Sequence, residues 1–241
     1  MTPDEISRLL QPYVEAGSPA VAGEPDWPRI YAQLAVYLEL ILKWNARINL
    51  TAIRTPEEIV RRHFGESLFA GLRLGACSTL LDFGSGAGFP GVPIQLLRPD
   101  VQVTLAESRT RKATFLREVL RTLDLSTEVW PNRVQAMHAD RQFDAVAMRA
   151  VDDMEAAVGE AANRASDRVV IIGTARLVAY PALATIDGVV SETQEIYRNN
   201  FFPEMKTDWR VHPDNIGHKT FRLFTRRMLI SLPNMKMNGF I

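Results

Sequence analysis

Cysteine is almost missing. Cys77 is the single thiol in 241 residues, so no disulfide can close within the chain. The four histidines, His63, His138, His212 and His218, show no metal-type pairing with it, and neither a structural nor a catalytic metal is expected. Net charge is absent as well: 28 lysines and arginines balance 28 aspartates and glutamates. The whole-molecule field therefore gives no reason for indiscriminate nucleic-acid binding, and a nucleic-acid partner has to be met by a local patch. Long apolar runs are lacking too. The most apolar helix-like stretch, Leu34 to Leu42, is broken by Glu39 and is too short to span a bilayer. Met1-Thr2-Pro3-Asp4-Glu5 leads into no apolar signal-like segment, so a cytoplasmic protein without membrane association is expected. Internal repeats and low-complexity tracts are also missing.

The 46% hydrophobic residues suffice for a sizeable core. Residues 17–28, GSPAVAGEPDWP, mark a loop after a short N-terminal helix, with Asp26 and Pro28 as start signals for the next element. Ile30, Leu34, Tyr37, Leu38, Ile41 and Leu42 then recur at the spacing of one helix face. Thr55-Pro56-Glu57-Glu58 reads as a capping box with proline at the first helical position, opening a helix that runs towards Phe64. From Thr79 short apolar runs alternate with helical patterns: LLDF, VQVTLAE, a helix over about Thr110 to Leu123, TEVW, FDAVAM, a helix over Asp152–Ala165, and RVVIIG. That rhythm predicts an α/β fold with a mainly parallel sheet. GVVSETQEIYR and TFRLFTRRML add two further strands, and PNMKMNGFI is a tail. The organisation expected is a helical extension over 1–75, a core over 76–232 and a tail over 233–241.

Between Asp82, at the end of the first of these strands, and a helix opened by Pro90 or Pro93 lies Gly84-Ser85-Gly86-Ala87-Gly88-Phe89-Pro90-Gly91. Such a loop places a ligand at the carboxyl end of the strand. A phosphate-binding P-loop is excluded, because Val92-Pro93 stands where Lys and Ser/Thr have to follow Gly86 and Gly91. A G-x-G-x-x-G dinucleotide fingerprint needs glycine at Phe89, and a G-x-S-x-G nucleophile elbow needs it at Phe83. The run present is G-x-G-x-G behind an acid, which resembles the cofactor motif of Rossmann-like S-adenosylmethionine-dependent methyltransferases. Glycines let the backbone approach the amino-acid end of such a cofactor, and Asp82 faces its ammonium group or an ordering water. Glu107, about twenty residues past the glycines at the end of VQVTLAE, is placed to accept the ribose hydroxyls. The alternative is a structural turn with a surface glutamate.

Around this motif the chain resembles the bacterial 16S ribosomal RNA guanine-N7 methyltransferases, the glucose-inhibited division protein B family. The likeness runs from about Tyr37 to Ala150. It rests on Lys43-Trp44-Asn45-Ala46-Arg47-Ile48-Asn49-Leu50-Thr51, His63-Phe64-Gly65-Glu66-Ser67, the Gly84–Pro93 junction, and Ser108-Arg109 with Arg111-Lys112 and Phe115-Leu116. Asn132-Arg133-Val134 and Phe143-Asp144 with Arg149-Ala150 complete it. The resemblance implies a class I methyltransferase sheet with an antiparallel last strand, S-adenosylmethionine as cofactor, and the small ribosomal subunit as partner. The implied target is guanosine 527, and a monomer is expected. By position, the family's cofactor contacts fall on Gly84, Phe89, Val134, Gln135 and Arg149, beside Asp82, Ser85, Gly86, Gly88 and Glu107 of the loop reading. Two departures stand out: Gln135 where the family commonly has an acid, and Gly173-Thr174-Ala175-Arg176 where it has lysine-glycine.

Guanine N7 offers a lone pair that carries no proton, so no catalytic dyad is required and rate comes from positioning. Phe89 is expected at the pocket mouth as a stacking surface for an unpaired base. Arg149 faces the cleft, to hold a cofactor carboxylate or an RNA phosphate, or else pairs with Asp152 or Asp153. RNA contacts are expected from Arg109 with Lys112 and Arg117 with Arg121, at helical i,i+3 and i,i+4 spacing, and from His63 unless it is a core histidine. The other basic clusters are Arg54/Arg61/Arg62 and Arg222/Arg226/Arg227. Trp44 packs the helical element on the core, and Asn49 terminates a helix. Two other functions stay open: methylation of a small molecule or protein, and a non-catalytic ribosome-assembly module.

Overall fold

In a computed structural model the described residues are 1–17, 23–151, 154–174, 192–193 and 219–225. Helix α1 (Pro3–Gly17) and α2 (Trp27–Asn45) open the chain. Asp26 caps α2 through a hydrogen bond accepted from the Arg29 amide at 3.2 Å, with proline in the first turn, as the start signals require. Its apolar face, Ile30, Leu34, Tyr37, Leu38 and Ile41, is buried. The helix expected from Pro56 is more complex. A single turn, α3 (Pro56–Glu58), passes into a π-helical segment over Ile59–Gly65 and then into α4 (Glu66–Arg73). Thr55 bonds the Glu58 carboxylate at 2.9 Å but no backbone amide, so the two residues pair with each other and neither amide bond of a capping box forms. Asn45, and not Asn49, organises the turn after α2: its Oδ1 accepts from the Leu50 and Thr51 amides at 2.9 and 3.1 Å.

Then come β1 (Thr79–Phe83), α5 (Gly91–Leu97), β2 (Gln102–Ala106), α6 (Thr110–Thr122), β3 (Glu128–Trp130), β4 (Phe143–Arg149), α7 (Met154–Arg164), β5 (Ala165–Thr174), β6 (Glu192–Thr193) and β7 (Lys219–Thr225). The sheet order is β3-β2-β1-β4-β5-β7-β6. The first five strands are parallel, and β7 runs antiparallel to both β5 and β6. Of the features expected from sequence, the tail 233–241, most of GVVSETQEIYR, the end of TFRLFTRRML with Arg226 and Arg227, Ala175, Arg176, His212, His218, Asp152 and Asp153 lie outside the described residues.

Alternation along the strands divides the core. Leu80, Val103, Leu105, Ala145, Ala147, Val170 and Ile172 join one buried cluster with Ile6 and Leu10 of α1, Leu34 and Ile41 of α2, and Phe64 and Leu68. Leu81, Phe83, Ala106, Val146, Met148 and Ile171 form the other, with Ala157, Val158 and Ala161 of α7. Strands buried on both faces are what a parallel sheet requires. The N-terminal helices are thus the cover of one sheet face, where each buried large apolar side chain contributes about 1.5–3 kcal/mol. Trp44 meets Phe115 of α6 edge-on, with ring centroids 5.6 Å apart. Among the described residues no helix is long and apolar enough to cross a membrane.

Candidate functional site

The strand order reverses between β1 and β4, so the crevice at their carboxyl ends is where an open α/β sheet takes a ligand. The glycine loop leaves β1 at that point. Its framework is internal. The Ser85 amide bonds Ala106 O at 2.9 Å, tying the loop to β2, and Ser85 O accepts from the Gly88 and Phe89 amides at 2.7 and 3.0 Å. Ser85 Oγ donates back to Asp82 O at 3.1 Å. Ser85 therefore shapes the loop with both its backbone and its hydroxyl.

The glycines divide into two kinds. Gly84 and Gly86 have φ of +73° and +58°, and side chains placed there would meet nothing closer than 3.4 and 3.9 Å. A Cβ at either would make only ordinary van der Waals contact, with Val151 at Gly84 and with Gly84 O and Lys112 at Gly86. At Gly88 a Cβ would collide with the Tyr37 hydroxyl and lie 2.8 Å from Val92, and at Gly91 it would lie 2.6 Å from Asp82 Oδ2. These two are glycines because the chain packs there.

Asp82 is fully buried. Its Oδ2 accepts from the Gly91 amide at 2.9 Å, at the start of α5, and Oδ1 has no hydrogen-bond partner among the described residues. Burial pushes its carboxyl up to about 7, against the lowering effect of the Gly91 amide. Glu107, just past β2, turns back to the loop: Oε2 accepts from the Gly86 amide at 2.9 Å and Oε1 from the Arg109 amide at 2.7 Å. The surface-glutamate alternative is overturned, since Glu107 is 7% exposed. Lys112, half-buried on α6, has its Nζ 3.9 Å from where a Cβ on Gly86 would sit. It belongs to the rim of the glycine loop, whereas Arg109, Arg117 and Arg121 are exposed. Val134 is buried with Phe83 and Ala106, and Gln135 beside it is exposed in a short 3-10 turn after β3.

Three placements differ from expectation. Phe89 is not at a pocket mouth. It is 5% exposed, stacked on His63 with centroids 4.6 Å apart and packed near Tyr37 and Phe64, because the N-terminal helices cover the loop on that side. His63 is a core histidine, 5% exposed, with Nε2 2.7 Å from Thr51 Oγ1. Arg149 does end β4, but its guanidinium is occupied. Nε and Nη2 both donate to Glu66 Oε2 at 3.2 Å, and Nη2 also donates to Arg62 O at 3.1 Å. With side-chain exposures of 9% and 4%, this is a buried ion pair between β4 and α4.

Two residues of the site escaped the sequence reading. Glu66 stands in the quoted His63–Ser67 stretch, but nothing in that stretch announces a partner 83 positions on. Tyr37 reads as an ordinary core position of α2. It is fully buried, and its hydroxyl donates to Ala87 O in the middle of the glycine loop.

Comparison with known proteins agrees with this architecture. Relatives named ribosomal RNA small subunit methyltransferase G include one from Xanthomonas euvesicatoria pv. vesicatoria, 43% identical over 124 residues, 51% of this chain and 58% of that protein. Another, from Roseiflexus sp., is 45% identical over 128 residues, 51% and 55% of the two chains. A third, from Nitrosomonas europaea, is 40% identical over 131 residues, 54% and 61%. The chain thus spans little more than half the length of the curated relatives it matches. Among solved structures, a ribosomal protein L11 methylase from Lactobacillus delbrueckii subsp. bulgaricus superposes with a TM-score of 0.50 at 13% identity, covering 69% of this chain and 79% of that one. At that identity the likeness concerns the fold, which is the Rossmann-like fold of class I methyltransferases. Residues 30–173, more than half of the chain, match the family described as rRNA small subunit methyltransferase G, and the chain belongs to that GidB family.

Proposed function

We propose that the protein transfers a methyl group from S-adenosylmethionine to N7 of a guanine in 16S ribosomal RNA of the small subunit. The position corresponding to the family's guanosine 527 is the target we infer. The observation that carries this reading is the open half of the glycine loop. Gly84 and Gly86 hold positive φ with no neighbour closer than van der Waals contact at the carboxyl end of β1, and the buried Glu107 carboxylate grips the Gly86 amide from the end of β2, in a chain of this family.

The residues present fit the cofactor. Asp82 retains a buried oxygen beyond the one that holds Gly91, an acceptor for an ammonium group or an ordering water. Each Glu107 oxygen has a lone pair left after its amide bond, enough to receive ribose hydroxyls. Val134 and Gln135 border the side of β3, where the adenine would lie, and an amide at Gln135 supplies hydrogen bonds without charge. Lys112 offers a cation at the rim of Gly86. When bound, S-adenosylmethionine supplies an electrophilic methyl group on a sulfonium centre.

The chain's own part is placement. Guanine N7 carries no proton in its lone pair, so no side chain has to act as a base. The loop and the ends of β1 and β4 hold the reacting partners in line and exclude water. Arg149, neutralised by Glu66, fixes the wall of the crevice and is a positioning residue. Helices over 1–75 and the sheet from 76 onward are separate in sequence character but share one core, so we infer that the extension supports the site directly. The reading includes a monomeric enzyme acting in the cytoplasm with no metal in the transfer step.

The test is transfer of labelled methyl from S-adenosylmethionine to small ribosomal subunits lacking this modification, followed by nuclease digestion and nucleoside mass spectrometry. The expected product is 7-methylguanosine at one position. Label in protein or in a small molecule, or no label despite cofactor binding, would replace the substrate assignment.

A further inference from the structure

We infer that the outer face of the π-helical segment Ile59–Gly65, through Arg61 and Arg62, is a docking site for the RNA phosphates that flank the target base. The inference rests on the RNA-methylating reading and adds the surface by which RNA reaches the crevice.

The segment has one inward and one outward side. Ile59, Val60, His63, Phe64 and Gly65 are buried, and its two exposed residues are both arginines. Its position is fixed by two contacts with the site. His63 stacks on Phe89 of the glycine loop, and the Arg62 carbonyl accepts a hydrogen bond from Arg149 at the end of β4. The segment therefore passes the carboxyl end of β4, beside the reversal of strand order where the ligand crevice lies, and its two arginines also lie near Tyr13 of α1. π-Helical turns are costly and recur at functional sites.

Lys112 stands across the crevice at the rim of Gly86, whereas two arginines next to this segment are already engaged. Arg149 is neutralised by Glu66. Arg54, third member of the same sequence cluster, braces its own loop through Asn49 Oδ1 at 3.1 Å and Asn45 O at 3.4 Å. Arg61 and Arg62 enter no ion pair among the described residues. Glu58, one turn earlier, is engaged by Thr55, and Glu66, one turn later, by Arg149. A chain with zero net charge has to recognise a polyanion locally, and phosphate contacts orient a substrate without reading sequence. Arginine suits this because its planar fork binds phosphate bidentately.

The experiment measures binding of the full chain to unmodified small ribosomal subunits over a range of salt, with methyl transfer recorded in parallel. The double variant Arg61→Gln, Arg62→Gln is expected to weaken binding about tenfold or more at moderate salt and to reduce the log-log salt slope by about 1.4, two contacts at ~0.7 each. Its affinity for S-adenosylmethionine and its melting temperature should match the native protein. Arg61→Lys, Arg62→Lys should recover most of the salt slope but not all of the affinity, and Arg8→Gln, Arg29→Gln on α1 and α2 should behave as native. Unchanged subunit affinity and slope in the Gln double variant would overturn the inference. So would a loss that appears only together with lower melting and lost cofactor binding and is not rescued by lysine. Tight, arginine-dependent binding without methyl transfer would leave the docking site standing and remove the enzymatic reading.

Discussion

The two halves of the glycine loop use one residue type for opposite reasons. Gly84, Gly86 and Gly88 all adopt positive φ, but a Cβ at Gly84 or Gly86 would make only van der Waals contact, whereas Gly88 and Gly91 are pressed against Tyr37, Val92, Leu105 and Asp82. The first half is the proposed seat for the cofactor, and the second is the joint between the loop and the helices that cover it. What the contrast teaches is that a cofactor motif in this fold is partly a packing motif. Its shape is held from the N-terminal extension by the Tyr37 hydroxyl on Ala87 O and by the His63 ring on Phe89.

The largest effect is expected where the packed half is filled. Gly88→Ala combines a strained positive φ, ~1–3 kcal/mol, with overpacking of Tyr37 and Val92, ~1–3 kcal/mol. Chemical denaturation should show a loss of several kcal/mol, a large share of the ~5–15 kcal/mol of a typical domain. Glu66→Gln comes next. It leaves Arg149 charged and buried without its counter-ion, which costs about 3 kcal/mol at the low end for such pairs, and the same denaturation curve should report it. If Glu66→Gln melts like the native protein, the pair does not anchor β4 to α4.

Tyr37→Phe removes one hydroxyl and strands the Ala87 carbonyl, ~1–3 kcal/mol. Its distinguishing result is kinetic: KM for S-adenosylmethionine should rise several-fold with kcat near native, because the loop loses its brace while the reacting groups stay. A variant that loses stability alone, with KM unmoved, would make Tyr37 an ordinary core residue.

A further effect concerns pH. Burial raises the Asp82 carboxyl to about 7 in the folded protein, so between the ordinary carboxylate range and about 7 the folded state holds a proton that the unfolded state has released. Asp82 therefore contributes a loss of stability as pH rises through that interval. Asp82→Asn should remove this contribution. Urea unfolding of both proteins at about pH 5 and about pH 8 should show the variant gaining on the native protein at the higher pH.

The sheet was legible because buried parallel strands write themselves as short apolar runs, and LLDF, VQVTLAE and FDAVAM became β1, β2 and β4 within a residue or two. Glu107 was legible because the end of a strand fixes where a side chain can reach. Phe89 was misplaced for a physical reason: an aromatic in a loop is exposed or buried according to what lies over it, and its cover is Tyr37, His63 and Phe64. Arg149 was placed on its strand end but without its partner, since Glu66 is 83 residues away. The π-helical turn was read as plain helix because its apolar spacing differs little over seven residues. Asn49 reads as a helix terminator because asparagine readily closes a helix, and only hydrogen-bond geometry shows that Asn45 does so here.

The most direct test of the account is calorimetric titration of S-adenosylmethionine into the native protein and into Glu107→Gln, Gly86→Val and Arg117→Gln. If the open half of the loop and Glu107 form the cofactor seat, the native protein and Arg117→Gln bind alike. Glu107→Gln then binds at least tenfold more weakly, and Gly86→Val shows no measurable heat while remaining folded by circular dichroism. Equal affinity in all four would contradict the account and move the ligand away from this loop.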